Sequence, residues 1–138
     1  IALSVLFDIS ILSTKTSTSL KQNEQANFLL KEAMESTRSF RDGTTWATNG
    51  LGFANTGNAN PYHFVLSANA WSLTSGTETI GNFTRKIVFD KVSRDPSTQN
   101  IESVYNILND DADTRKVTVT IIGPQKTLTL IAYFTNWK

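Results

Sequence analysis

The sequence predicts an α+β domain in which one amphipathic helix precedes a mostly antiparallel sheet. Three observations carry that reading. Residues 20–42 contain no Pro or Gly and set apolar side chains three to four positions apart. Residues 62–137 break into short runs in which apolar and polar residues alternate. Between them, residues 43–61 are dense in Gly and Asn and follow neither period.

The first element, Ile1 to Leu12 (IALSVLFDISIL), is apolar except for Ser4, Asp8 and Ser10. About 20 apolar residues are needed to cross a bilayer, so this run alone is too short. The chain starts at Ile and not Met, so it is read as processed or incompletely represented, and composition leaves two readings of this run: the end of a longer apolar segment, or an ordinary buried first helix or strand. Ser13 to Ser19 (STKTSTS) joins it to the helix. Hydroxyl side chains compete for backbone hydrogen bonds, so this junction is the weakest stretch of any continuous helix and could be extended.

In the helix of residues 20–42, Ala26, Leu29, Leu30, Ala33, Thr37 and Phe40 mark one buried face, while Lys31, Glu32, Glu35, Arg38 and Arg41 mostly fall opposite. Asp42-Gly43 is the expected stop, with Gly43 free to turn left-handed. A long surface loop over 43–61 follows. Strands are expected at Tyr62–Ala68 and Ala70–Thr74, with turns at Asn69 and Ser75-Gly76, then at Asn82–Ser93. In that last strand Phe83, Arg85, Ile87 and Phe89 share a side. A further strand is expected over Asn100–Leu108, and a hairpin over Lys116–Ile122 and Thr127–Thr135 about Gly123-Pro124-Gln125-Lys126.

With 138 residues the chain suits one domain with a modest core, and 39% hydrophobic against 18% charged residues places it among globular proteins. Net charge is +1, which gives no electrostatic reason for a nucleic-acid or anionic-membrane partner. The absence of cysteine excludes disulfides and thiolate metal sites. Abundant Thr, Ser and Asn suit an exported surface.

Catalysis is not expected. His63 is the sole histidine and lies in a strand between Tyr62 and Phe64. There is no nucleophile elbow, phosphate loop or zinc-protease motif. The one candidate ion site is Asn109, Asp111 and Asp113 in the run NDDADT, since calcium takes several oxygen ligands from one loop. The same residues also suit a plain turn, and the Gly and distant Glu of an EF-hand are missing. No other cofactor is indicated. Asn82-Phe83-Thr84 fits a glycosylation sequon. Trp46, Trp71 and Trp137 are candidate core, interface or binding aromatics, with Trp137 the candidate for a subunit contact.

The order of elements resembles that of type IV pilins and pseudopilins. IALSVLF resembles the middle of the hydrophobic helix in that family. Phe28 to Trp46 (FLLKEAMESTRSFRDGTTW) resembles a leucine-alanine-x-glutamate and arginine-x-x-arginine-aspartate-x-x-tryptophan stretch of prepilin-type proteins in the minor-pilin or pilus-modification group. Phe83 to Val92, the run DTRKVTVTI and the ending YFTNW resemble the strand half. The resemblance spans nearly the whole chain and rests on the order of its parts. Asp8 and the missing C-terminal disulfide loop depart from the family pattern, and the cleavage site and the family's N-terminal acidic residue are not in the sequence.

The resemblance implies two parts: an assembly segment over residues 1–19 and a globular domain over 20–138. It implies a structural subunit of an extracellular filament, held in the inner membrane before assembly, with copies of itself and other pilins as partners. Adhesion, motility or DNA uptake would be its surface roles. Ile1, Leu3, Val5, Leu6, Phe7, Ile9, Ile11 and Leu12 would pack in the filament core. Asp8 would need a partner there, for which Lys15 of a neighbouring copy is the nearest by type. A pseudopilin of a secretion machine would share the fold. A soluble extracellular domain that binds glycans through its aromatics is the alternative of a different class.

Overall fold

A computed structural model describes the backbone of residues 2–137 and the side chains of residues 20–137. The helix α1 spans Ala2–Gly43 and is followed by six strands: β1 (Tyr62–Ser67), β2 (Ala70–Ser75), β3 (Glu78–Ile80), β4 (Phe83–Ser93), β5 (Asp110–Ile122) and β6 (Thr127–Thr135). All strand pairs are antiparallel, in the order β2-β1-β4-β5-β6, with β3 beside β4. The α+β arrangement of one helix on an antiparallel sheet is therefore as expected.

The expected helical face is the buried one. Ala26, Leu29, Leu30, Ala33 and Phe40 close against Phe89, Val117, Val119 and Ile121 of the sheet, and Met34 joins them. Two polar residues share this stripe at no cost in unmet hydrogen bonds. The Ser36 hydroxyl donates to the Glu32 carbonyl and the Thr37 hydroxyl to that of Ala33, each at 2.8 Å. Phe40 meets the ring of Phe64 at 5.3 Å with the planes tilted by 54°, a favourable aromatic geometry.

The strands follow their period of two. In β5, Val117, Val119 and Ile121 point inward and are fully buried, while Lys116, Thr118 and Thr120 point out. The β1–β2 turn sits where Asn69 placed it. Ala68 and Asn69 have φ of 51° and 62°, and two left-handed residues in a row match the twist of the flanking strands. The β5–β6 hairpin closes with the Gly123 amide donating to the Lys126 carbonyl at 3.0 Å.

Three expectations need correction. Residues 100–108 do not form a strand. Only Ile101 bridges to Arg94, and a short 3-10 helix at Ile107–Asn109 follows. Their apolar residues point to solvent, so the pattern had no sheet to face. The run NDDADT is not a connecting turn, because β5 begins at Asp110 and a register shift opposite Lys91/Val92 absorbs residues 112–114. Gly43 ends α1 without turning left-handed, since positive φ falls on other glycines. The Thr44 hydroxyl caps that end by donating to the Phe40 carbonyl at 2.5 Å. The hydroxyl-rich residues 13–19 lie within α1.

Candidate functional site

A buried arginine of the sheet ties it to the helix, and Arg41 of α1 adds a second link by lying over the Phe134 ring of β6 at 5.1 Å. Arg85 lies on the inner side of β4 between Phe83 and Ile87, and its side chain is 6% exposed. Its Nη1 donates to the Leu29 carbonyl at 3.1 Å and to Glu32 Oε1 at 2.9 Å, both on α1. Its Nε and Nη2 donate to Glu78 Oε2 at 3.1 and 2.8 Å. Apolar alternation in FTRKIVF forces Arg85 inward, and a buried guanidinium must then be paired. The sequence pattern shows the parity, but not that the two partners lie 53 and 7 residues away.

The Gly/Asn-rich connector is a surface loop as expected, and it is also stitched down. Trp46 is buried, and its indole Nε1 donates to the Ala112 carbonyl at 2.9 Å. Leu51 is fully buried. Arg115 Nη2 donates to the Gly52 carbonyl at 3.1 Å, and the Gly57 amide donates to Phe89 O at 2.8 Å. Gly52 passes so close to Trp46 that a Cβ there would stand 2.4 Å from the indole Cδ1 and 2.8 Å from the backbone oxygen. Only glycine allows this approach.

Between the fixed connector and β2 lies a cleft of about 560 Å³. Phe53, Tyr62, Trp71 and Leu73 supply its apolar walls, and Thr48, Asn49 and Asn55 its polar rim; no lining residue carries a charge. Phe53 is 69% exposed at the mouth. Asn49 accepts from the Thr45 amide through Oδ1 at 2.8 Å, which leaves its NH2 group to donate. The Asn55 amide N–H donates to the Tyr62 hydroxyl at 3.1 Å and orients that ring. Trp71 and part of the connector, both singled out in the sequence, thus meet at one place.

The candidate calcium ligands sit around an arginine. Asp111 Oδ2 accepts from Arg94 Nε at 2.6 Å and from the Thr114 hydroxyl at 2.7 Å, and Oδ1 accepts from the Asp113 amide at 3.1 Å. Burial alone would raise the Asp111 pKa, but the hydrogen bonds from Thr114, Arg94 and Asp113 with the Arg94 charge outweigh it and hold the carboxyl below its ordinary value. Asn109 turns to Glu102, donating at 3.1 Å, and Asp113 accepts from Asn136 at 3.1 Å. The three side chains therefore face three different partners, and the guanidinium supplies the positive charge at Asp111. Among the described residues no group of three His, Asp or Glu side chains is placed to hold a metal ion.

The other singled-out residues have local settings. His63 Nδ1 lies 3.1 Å from the Gly76 carbonyl across the hairpin. Asn82 is exposed in the β3–β4 turn. Trp137 is exposed beside Arg41, Thr45 and Asn136. The side chains of the assembly residues Ile1, Leu3, Val5, Leu6, Phe7, Asp8, Ile9, Ile11 and Leu12 lie outside the described residues. Among the described residues no helix is long and apolar enough to cross a membrane. No protein family, curated protein or solved structure matches this chain.

Proposed function

We propose that the chain is a structural subunit of an extracellular filament of the type IV pilin kind, assembling through the apolar residues 1–12. The observation that supports this reading is the length of α1. A helix of 42 residues is about 63 Å long, whereas the buried stripe from Ala26 to Phe40 uses only about 21 Å of it. Of the described side chains ahead of that stripe, residues 20–25, none is buried. In this reading the apolar residues 1–12 at the start of the same helix pack with their counterparts in neighbouring copies, and apolar burial at about 25 cal/mol per Å² is a strong drive to do so. Other pilins would be further partners, and the inner membrane would hold the segment before assembly. A pseudopilus would use the same geometry.

The test is filament yield by electron microscopy at low and high salt. Phe7→Asp should abolish filaments and Asp8→Asn should keep them. Salt should matter little, because apolar contacts are not screened. Filaments that survive Phe7→Asp, or dissolve in moderate salt, would count against the proposal.

The connector cleft favours a second reading, an extracellular glycan-binding domain. Aromatic faces stack on sugar rings, and amides and hydroxyls without net charge suit neutral hydroxyl-rich ligands. Electrophoresis through gels containing a neutral β-glucan or an acidic polyuronate is the check. Retardation by the neutral polymer alone, lost in Trp71→Ala, would support this role; equal mobility in all gels would remove it.

A further inference from the structure

The last strand of the sheet has an unguarded edge. In the order β2-β1-β4-β5-β6, β6 stands at the margin with β5 on one side only. Its nine residues, TLTLIAYFT, include no charge and no proline. Its pairing with β5 runs without a shift from Thr114↔Thr135 to Ile122↔Thr127, so no bulge bends the edge away. Charged side chains, prolines and bulges are the usual means by which an edge strand is kept from pairing with another chain, and β6 uses none of them.

The side chains at this edge are also left half-covered. On the outer face Ile131 and Tyr133 are 49% and 48% exposed, and on the inner face Leu130 is 38% exposed although its neighbour Val119 is fully buried. The opposite margin differs. β2 is shorter, and its Trp71, Ser72 and Leu73 already form a wall of the connector cleft.

We infer that β6 pairs antiparallel with β6 of a second copy, about a two-fold axis at Ile131. The occupant follows from the strand itself. Ile131 is the midpoint of Thr127–Thr135, so centring there pairs every residue of both strands. Thr127 then opposes Thr135 and Thr129 opposes Tyr133 on the outer face. On the inner face Leu128 opposes Phe134, and the half-exposed Leu130 opposes the small Ala132. With no charge in the strand, self-pairing sets no like charges against each other. The same side of each sheet stays inward, so one continuous sheet keeps both helices on one face. Such an isologous contact closes on itself and cannot propagate a filament. It adds a lateral link between subunits and does not depend on the filament proposal.

A chain without cysteine makes the test clean. Directly opposed residues in an antiparallel pair have Cα atoms about 4.5–5.5 Å apart, within the range a disulfide spans. Under mild oxidation of the full chain, Ile131→Cys should double the apparent mass on a non-reducing gel. A mixture of Thr129→Cys and Tyr133→Cys should cross-link where each alone does not. Thr127→Cys should stay monomeric, because its own counterpart lies about 26 Å along the strand. Adding Ile131→Lys to the mixed pair should abolish the cross-link, with circular dichroism confirming that the domain stays folded.

The proposal fails if folded Ile131→Cys does not cross-link. It also fails if Thr127→Cys links as readily, or if Ile131→Cys links to a Ser72→Cys chain in preference to itself. Repeating the oxidation in the Phe7→Asp background separates the two proposals. The β6 link should persist there whether or not filaments form.

Discussion

The inner face of the sheet and the 94–109 connector both carry apolar residues and an arginine–carboxylate pair, and they reach opposite states. On the inner face Phe89, Val117, Val119 and Ile121 are sealed under α1, and of the two buried arginines on that face Arg85 is paired with carboxylates on both sides while Arg115 donates to the Thr114 and Gly52 carbonyls. Beyond the end of β4 the 94–109 connector is held by polar contacts. Arg94 pairs with Asp111, Tyr105 donates to Asp110 at 2.9 Å, and the Asn106 amide donates to Ser93 Oγ at 2.9 Å. Its apolar residues Val104, Ile107 and Leu108 point into solvent at 76–88% exposure. Burial therefore decides the energetic weight of the two sides, although both use arginine–carboxylate pairs.

The contrast is sharpest at Leu30, in the middle of the sealed side. Leu30→Asp removes apolar burial and places a carboxylate where the described residues offer no prepared cation. Unfolding in denaturant should show a loss of about 3–5 kcal/mol. An unchanged midpoint would mean that this face of α1 is turned away from the sheet.

Arg85→Met comes next. It keeps most of the volume but leaves Glu32 and Glu78 facing each other without their cation. Those carboxylates are 37% and 28% exposed and can find water, so the expected loss is about 2–3 kcal/mol, below that of a fully buried pair. Adding Glu78→Gln should recover part of it in a double-mutant cycle. No recovery would mean that Arg85 acts through packing alone.

Arg94→Ala, on the open side, should cost about 1 kcal/mol or less at neutral pH. It carries a pH signature. The folded pKa of Asp111 is lowered, so its contribution is complete above the ordinary carboxylate value of 3.8 and is lost as pH falls through the lowered folded value. The stability gap between the parent chain and Arg94→Ala should therefore shrink in acid. A gap that stays constant down to pH 2 would show that the Arg94 charge does not act on Asp111.

Much of the sealed side was legible from sequence, because buried faces leave a period. Ala26 to Phe40 at helical spacing and Val117, Val119 and Ile121 at strand spacing name the core directly. The open side was less legible. Ile101, Val104, Tyr105 and Ile107 read as strand positions, yet no element lies over them. The run Asn109 to Thr114 read as an ion site or a plain turn, yet Arg94 pairs with Asp111 and β5 already starts at Asp110. The three-residue β3 is too short to show a period. The cleft could not be read as one site, since Phe53 and Trp71 are joined only by the fold. The charge of Arg85 on an apolar parity was the one sequence signal of the helix–sheet tie.

The tie between helix and sheet also dictates an order of events. Leu29 meets Arg85 across 56 residues, Gly52 meets Arg115 across 63, and Trp46 meets Ala112 across 66. Each contact closes a long loop, whose entropic cost falls due before the contact repays it. The early helix and connector thus have no seat until β4 and β5 exist. During synthesis at about 5–20 residues per second, several seconds pass in which the Ala26–Phe40 stripe is complete but uncovered. Folding is correspondingly late and cooperative, and the nascent chain is most prone to wrong association before its central strands arrive.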